Sequence, residues 1–232
     1  MAWYRANGRD LPWRRTRDPY AILVSEVMLQ QTQVERVVPR YVRWLERWPT
    51  AAYLAAAPRS EVIREWQGLG YNRRAVNLHR AAEQIAETGW PEDLTELPGV
   101  GRYTADAVAR FAMEANVLPV DVNVARVLER TSGRFGPASA HALMDLGATV
   151  CLARVPRCGS CPLSEECPSR GRRYEPLRKQ SRFEGSFRQL RAQTLRLVAE
   201  SARPETELDR EAVAALARDG LVRLDDGLVR LP

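Results

Sequence analysis

The 232-residue chain has one lysine, Lys179, against 35 Lys plus Arg in total, so nearly every cation is a guanidinium. Arginine binds phosphate well but cannot form a Schiff base, which leaves lysine-based covalent chemistry a single position. No apolar run approaches the roughly eighteen residues a membrane-spanning helix needs. The start, Met1-Ala2-Trp3-Tyr4-Arg5, lacks the apolar core of a secretory leader. A soluble cytoplasmic protein without a membrane partner is expected. There is no internal repeat and no low-complexity tract. Outside residues 151–167 there is no cysteine.

The composition is otherwise that of a globular protein, with 45% hydrophobic and 28% charged residues, enough for a sizeable core. Lys plus Arg outnumber Asp plus Glu by 35 to 29, a net charge of +6. That excess favours an anionic partner such as nucleic acid, although a generic soluble surface would also carry it.

Strand-like alternation is missing from the first 170 residues, so an all-α class is predicted. Ala21 to Leu29 is apolar enough for a largely buried helix. Val34, Val37, Val38, Tyr41, Val42, Leu45 and Trp48 recur at the three- and four-residue steps of one helix face. Further helical stretches fall at Leu54 to Ala57, Val62 to Trp66 and Ala75 to Ile85, punctuated by Pro58, Gly68, Gly70 and Gly89. Residues 171–184 are polar and basic and read as a linker. Beyond them, Leu190 to Ala199 and Arg210 to Ala217 are amphipathic, and 220–231 reads as a hairpin turning at Asp-Asp-Gly. The segment 185–232 therefore looks like a small winged-helix-like module, suited to binding DNA or protein or simply to packing on the main domain.

All four cysteines fall in Cys-x6-Cys-x2-Cys-x5-Cys: Cys151, Cys158, Cys161 and Cys167. Four thiolates from one short loop can ligate a [4Fe–4S] cluster, one sulfur per iron. Zinc competes, but its sites usually pair two Cys-x2-Cys knuckles, and only Cys158 and Cys161 form one here. Disulfides are not expected without a secretory leader. Upstream, Leu97-Pro98-Gly99-Val100-Gly101-Arg102-Tyr103 joins two helical stretches. Gly99 and Gly101 permit positive φ, and a tight turn there would aim backbone N–H groups, with the next helix N-terminus, at a phosphate. The same pattern could merely connect two helices.

With Asp121 eighteen residues after Tyr103, and with Leu11-Pro12-Trp13-Arg14 and Ser25-Glu26-Val27-Met28-Leu29-Gln30-Gln31-Thr32, these blocks resemble the helix-hairpin-helix DNA glycosylases of the endonuclease III and MutY superfamily. Gly68-Leu69-Gly70-Tyr71 and Met144-Asp145-Leu146-Gly147-Ala148 fit as well, and the likeness spans about residues 3 to 170. It is nearest to the MutY adenine glycosylases. It implies a cluster domain from 1–14 and 122–170 and a six-helix domain from 15–121, with the [4Fe–4S] cluster on the four cysteines. The partner implied is duplex DNA with a mismatched or damaged base, met by a monomer.

The resemblance also implies roles. Breaking an N-glycosidic bond through an oxocarbenium-like state needs an acid for the leaving base and a fixed negative charge for the sugar. Glu26, in an otherwise apolar stretch, is expected to carry a proton near neutrality and pass it to adenine; a solvent-facing helix glutamate is the plain alternative. Asp121, whose plain role is a helix N-cap, would steady the sugar cation. Tyr103 and Asn123 match residues that position these groups and the water. Trp13 and Arg14 match the base-pocket wall, although Trp13 could be ordinary core. Gln31 and Tyr71 match residues that enter the base stack, and Gly99, Val100 and Gly101 the phosphate-binding hairpin. Where lyase members carry a lysine, this chain has Tyr103, so a monofunctional glycosylase is expected. The pattern departs at Asn72, Val122, Asp106 and His141, in a shorter 128–145 stretch, and in a tail too short for the oxoguanine-reading domain. Excision of T or U opposite G, and lesion binding without catalysis, stand as the other readings.

Overall fold

The computed structural model describes residues 2–175 and 182–232. In chain order the helices are α1 (Ala2–Asn7), α2 (Pro19–Leu29), α3 (Val34–Arg47), α4 (Ala51–Ala55), α5 (Arg59–Glu65), α6 (Arg73–Thr88), α7 (Arg102–Ala112), α8 (Val122–Thr131), α9 (Ala140–Thr149), α10 (Phe187–Glu200) and α11 (Arg210–Arg218). Three short strands, β1 (Arg203–Pro204), β2 (Arg223–Asp225) and β3 (Leu228–Arg230), form one antiparallel sheet in the order β1-β3-β2. The fold is thus mostly helical, with its only strands among the described residues near the C-terminus. None of the described helices is long and apolar enough to cross a membrane.

The chain forms two compact units. One takes the described residues among 1–22 and 101–179, the other those among 23–100 and 180–232. In the first, α8 and α9 pack through Val124, Val127, Leu143, Leu146 and Val150, and Cys151 and Cys161 lie against this core. The close approach needs a glycine: a Cβ on Gly147 would stand 2.8 Å from the Asn123 Cβ.

In the second unit α3 turns Val37, Tyr41 and Trp44 inward. Trp44 meets Trp48 and Trp66 edge-on, at centroid distances of 4.7 and 5.5 Å. The expected C-terminal helices and hairpin are present. Asp226 and Gly227, at φ 50° and 73°, make the two-residue turn whose left-handed geometry matches strand twist. The hairpin does not stand alone. Leu195, Val198, Val213, Leu216, Leu221 and Val229 share one core with Ile63 of α5 and Val76 of α6. Arg64 Nε also donates to the Ala199 carbonyl at 3.0 Å. Apolar faces on α10 and α11 find their partner on α5 and α6, so the tail completes this unit.

Candidate active site

Asp121 precedes α8 and caps it. Its Oδ1 accepts the N–H groups of Asn123 and Val124 at 2.9 and 2.7 Å, and its Oδ2 accepts the Asn123 side-chain amide at 2.8 Å. Asn123 is held in turn: Arg126 Nη2 donates to its Oδ1 at 2.7 Å and to the Gly147 carbonyl at 2.7 Å. Arg126 Nε reaches the Cys151 carbonyl at 2.8 Å. Burial lowers the Arg126 pKa, with Cys151 and Asp121 among the charges opposing that shift. A row of side chains therefore runs from the Asp121 carboxylate, the N-cap of α8, to the start of the cysteine loop.

The four cysteines line one cavity with Arg130, Leu146 and Val150. None is in a disulfide. Burial pushes the Cys161 thiol up; the Leu163 amide opposes this, and the charges of the other three cysteines add to the rise. Among the described residues no three His, Cys, Asp or Glu are gathered as single-ion ligands. The loop is pinned by Arg130, buried at 7% exposure, whose Nη1 and Nη2 donate to the Leu152 and Ala153 carbonyls at 2.7 and 2.6 Å. Arg130 also lies 3.7 Å over the Tyr174 ring. Donors point at sulfur here as well, among them Gly171 N–H to Cys158 Sγ at 3.3 Å and Arg130 Nη1 to Cys151 Sγ at 3.6 Å.

Trp13 and Arg14 line a second cavity of the same unit with Arg110, Phe111, Glu114 and His141. Arg14 is held from behind. Its Nη1 and Nη2 both bond Asp145 at 2.8 Å, and Nη1 also donates to the Arg9 carbonyl at 2.9 Å. Arg9 adds its own N–H and Nε to Asp145, at 2.9 and 2.7 Å. Burial would raise the Asp145 pKa, but the Arg14 and Arg9 bonds carry it below its ordinary value. His141 stacks on Phe111 at 4.2 Å, and burial together with the Arg14 charge takes its pKa down to about 4. Tyr103 stands on α7, partly buried.

Glu26 belongs to the other unit. It is 5% exposed on α2, where every residue from Tyr20 to Met28 is buried, so the solvent-facing alternative is excluded. The C-terminal end of that helix is tied down by Arg74. Its Nη1 donates to the Val27 and Met28 carbonyls at 2.6 and 3.0 Å, and its Nη2 to Gly70 O at 2.9 Å and Thr32 Oγ1 at 3.1 Å. Burial brings Arg74 down to about 10. It thereby joins the two segments that carry exposed residues with left-handed backbones, Gln31 at φ 57° and Tyr71 at φ 46°. Both line one groove, as do Gln30, Asn77 and Arg191.

In the hairpin, Gly99 has φ 78°, and a Cβ there would stand 2.8 Å from the Asn77 Cβ. Gly101 departs from expectation: it is extended, at φ −89° and ψ 173°, and is the N-cap of α7. Val100 gives its side chain to the core and its N–H to the Leu97 carbonyl at 3.0 Å. Of the hairpin amides expected to face outward, that one is used internally. Lys179 lies outside the described residues.

Residues 24–144 match the family model for the HhH-GPD superfamily of base excision DNA repair proteins. The chain belongs to that superfamily. It is 44% identical to the adenine DNA glycosylase of Mycolicibacterium smegmatis, over 92% of this chain and 83% of that protein. It is 40% identical to the adenine DNA glycosylase of Mycobacterium tuberculosis, over 100% of this chain and 92% of the relative. Among solved structures it resembles a thermostable thymine-DNA glycosylase, with a TM-score of 0.66 and 28% identity over 72% of this chain and 91% of that one. In this HhH-GPD protein two of the departures from pattern sit in plain local settings. Val122 is the first residue of α8 and 78% exposed, so its side chain meets no wall. Asp106 pairs with Arg102 at 3.1 Å along α7. Arg74 and Arg126 were not predicted as site residues; the available signal was an arginine among buried apolar neighbours on α6 and α8.

Proposed function

We propose that the protein removes adenine from duplex DNA where it stands opposite 8-oxoguanine or guanine, by hydrolysis of the N-glycosidic bond. The observation that carries this is the likeness to adenine DNA glycosylases across nearly the whole chain; in this reading buried Glu26 and the α8-capping Asp121 are the two carboxylates the reaction needs. In this reading the base leaves the duplex, and Gln31 and Tyr71 fill the opened stack. Strained non-glycine backbones concentrate where function needs them, which supports that role. Glu26 delivers a proton to the purine, probed first at N7. The bond from the sugar to the base nitrogen breaks with its electron pair going to the base. Asp121, aimed by Asn123, faces the positive charge left on the sugar; water then adds its oxygen to that carbon and gives up a proton. Trp13, Arg14 and His141 supply the pocket wall, His141 as a neutral ring. Tyr103 offers no amine, so strand cleavage by Schiff base is not part of the reaction.

The four cysteines are assigned a [4Fe–4S] cluster. A cube that takes one sulfur at each iron suits four thiols around one cavity. The N–H to sulfur contacts are of the kind that steady such clusters. The cluster would hold the loop in shape, and no bond-breaking step passes through it.

The likeness to a thymine-DNA glycosylase favours a second reading, T or U excised opposite G, at lower identity. Labelled duplexes carrying A opposite 8-oxoguanine, A:G, T:G, U:G and hypoxanthine:T decide between them. Alkali-dependent cutting at adenine, lost in Glu26→Gln with DNA binding retained, is expected. Cutting only at T, U or hypoxanthine would overturn the substrate, and full activity in Glu26→Gln the mechanism.

A further inference from the structure

The groove that holds Gln31 and Tyr71 is not built by the HhH-GPD region alone. One wall comes from the C-terminal module: Arg191 of α10 and Asp219, just after α11. Both lie beyond the residues the family model covers. Asp219 sits between two guanidiniums, bonded to Arg191 Nη2 and 3.6 Å from Arg73 Nη1. Arg73 opens α6, two residues after Tyr71.

We infer that the C-terminal module is a DNA-contacting element, with Arg191 and Arg73 taking a backbone phosphate beside the base step that Gln31 and Tyr71 enter. Three features favour this over a plain surface ion pair. First, the groove carries three guanidiniums (Arg73, Arg74 and Arg191) against the single Asp219 carboxylate, a positive balance at a place where DNA is expected. Second, Asp219 engages Arg191 through Nη2 only, not through the two-pronged fork, and the Arg191 side chain keeps 31% of its surface exposed. Third, the groove wall is rigid. α10 is fixed to α5 and α6 by the shared core of Leu195, Val198, Ile63 and Val76. A charge so mounted keeps its distance from Tyr71, and a phosphate there would be met without ordering a loop.

The inference rests on the reading of Gln31 and Tyr71 as residues that enter DNA, and the test separates the two. Binding of the 232-residue chain to an undamaged duplex is measured against salt, alongside adenine release from a duplex with A opposite 8-oxoguanine. Arg191→Gln is expected to weaken undamaged-duplex binding about tenfold near physiological salt and to lower the slope of log K on log salt by about one. Asp219→Asn is expected to move the other way, tightening binding, because it frees both arginines. Loss of binding in both variants with an unchanged slope marks Arg191 and Asp219 as a structural brace and overturns the inference. So does an Arg191→Gln protein that binds like the parent. Wild-type protein that releases no adenine yet shows the Arg191 salt effect overturns the catalytic reading and keeps this one.

Discussion

Arg74 Nη1 lies 2.6 Å from the carbonyl oxygen of Val27, one residue beyond Glu26. The last carbonyls of a helix have no partner within it, and here one buried guanidinium serves two of them and fixes Gly70 and Thr32 as well. Arg74→Ala would strand these acceptors in a site 8% exposed. A loss of about 3 kcal/mol or more in urea unfolding is expected. Arg74→Lys should recover little of it, since an ammonium cannot span the same set of oxygens.

Asp145 and His141 set the acid limb of stability. Asp145 is held below its ordinary 3.8, so its contribution is complete above that value and lost as pH falls through the lower folded one. His141 is shifted from 6.5 to about 4, so the fold favours its neutral ring. Its contribution is complete above about 6.5 and declines as pH falls towards about 4. Urea midpoints measured from pH 7 to pH 2.5 should decline in two stages. His141→Gln should flatten the upper stage and Asp145→Asn the lower. Asp145→Asn should also cost about 3–5 kcal/mol at pH 7, because it leaves Arg9 and Arg14 without their buried counter-charge.

Arg126 reaches Asp121 through Asn123. Arg126→Gln is expected to lower the single-turnover rate about tenfold or more with little change in DNA affinity, because it loosens a carboxylate needed only as charge develops. Asp121→Asn keeps a capping side chain but removes the charge. It should therefore lose nearly all activity and about 1 kcal/mol or less of stability.

Each cysteine is expected to matter for the loop rather than for the reacting atoms. Iron and acid-labile sulfide should be found at four each per chain. Cys158→Ser should lower both and abolish the visible absorption. Zinc in place of iron, with full stability, would reassign the site.

What was legible in the sequence is what short range decides. The buried α2 with Glu26, the α8 start at Asp121, the cysteine spacing and the Asp-Asp-Gly turn each lie within seventeen residues of chain or fewer. The missed features are long-range. Arg74 finds Val27 and Met28 some 47 and 46 positions away. Nothing in composition marks it among 35 basic residues. Gly101 looked like a second left-handed glycine because spacing cannot tell a turn residue from a helix N-cap. The tail's helices could be read from periodicity, but an apolar stripe does not name the face that covers it. Here the cover is Ile63 and Val76.

Because the chain passes from the first unit to the second and back, then returns to the second, neither unit is a single stretch of polypeptide. On the ribosome, Ile63 and Val76 emerge long before Leu216, Leu221 and Val229, the residues that bury them. For the time needed to make well over a hundred residues, that apolar surface has no native partner. The nascent chain must keep it from other chains until residues 195–229 have been made, so this unit can reach its native packing only late in synthesis.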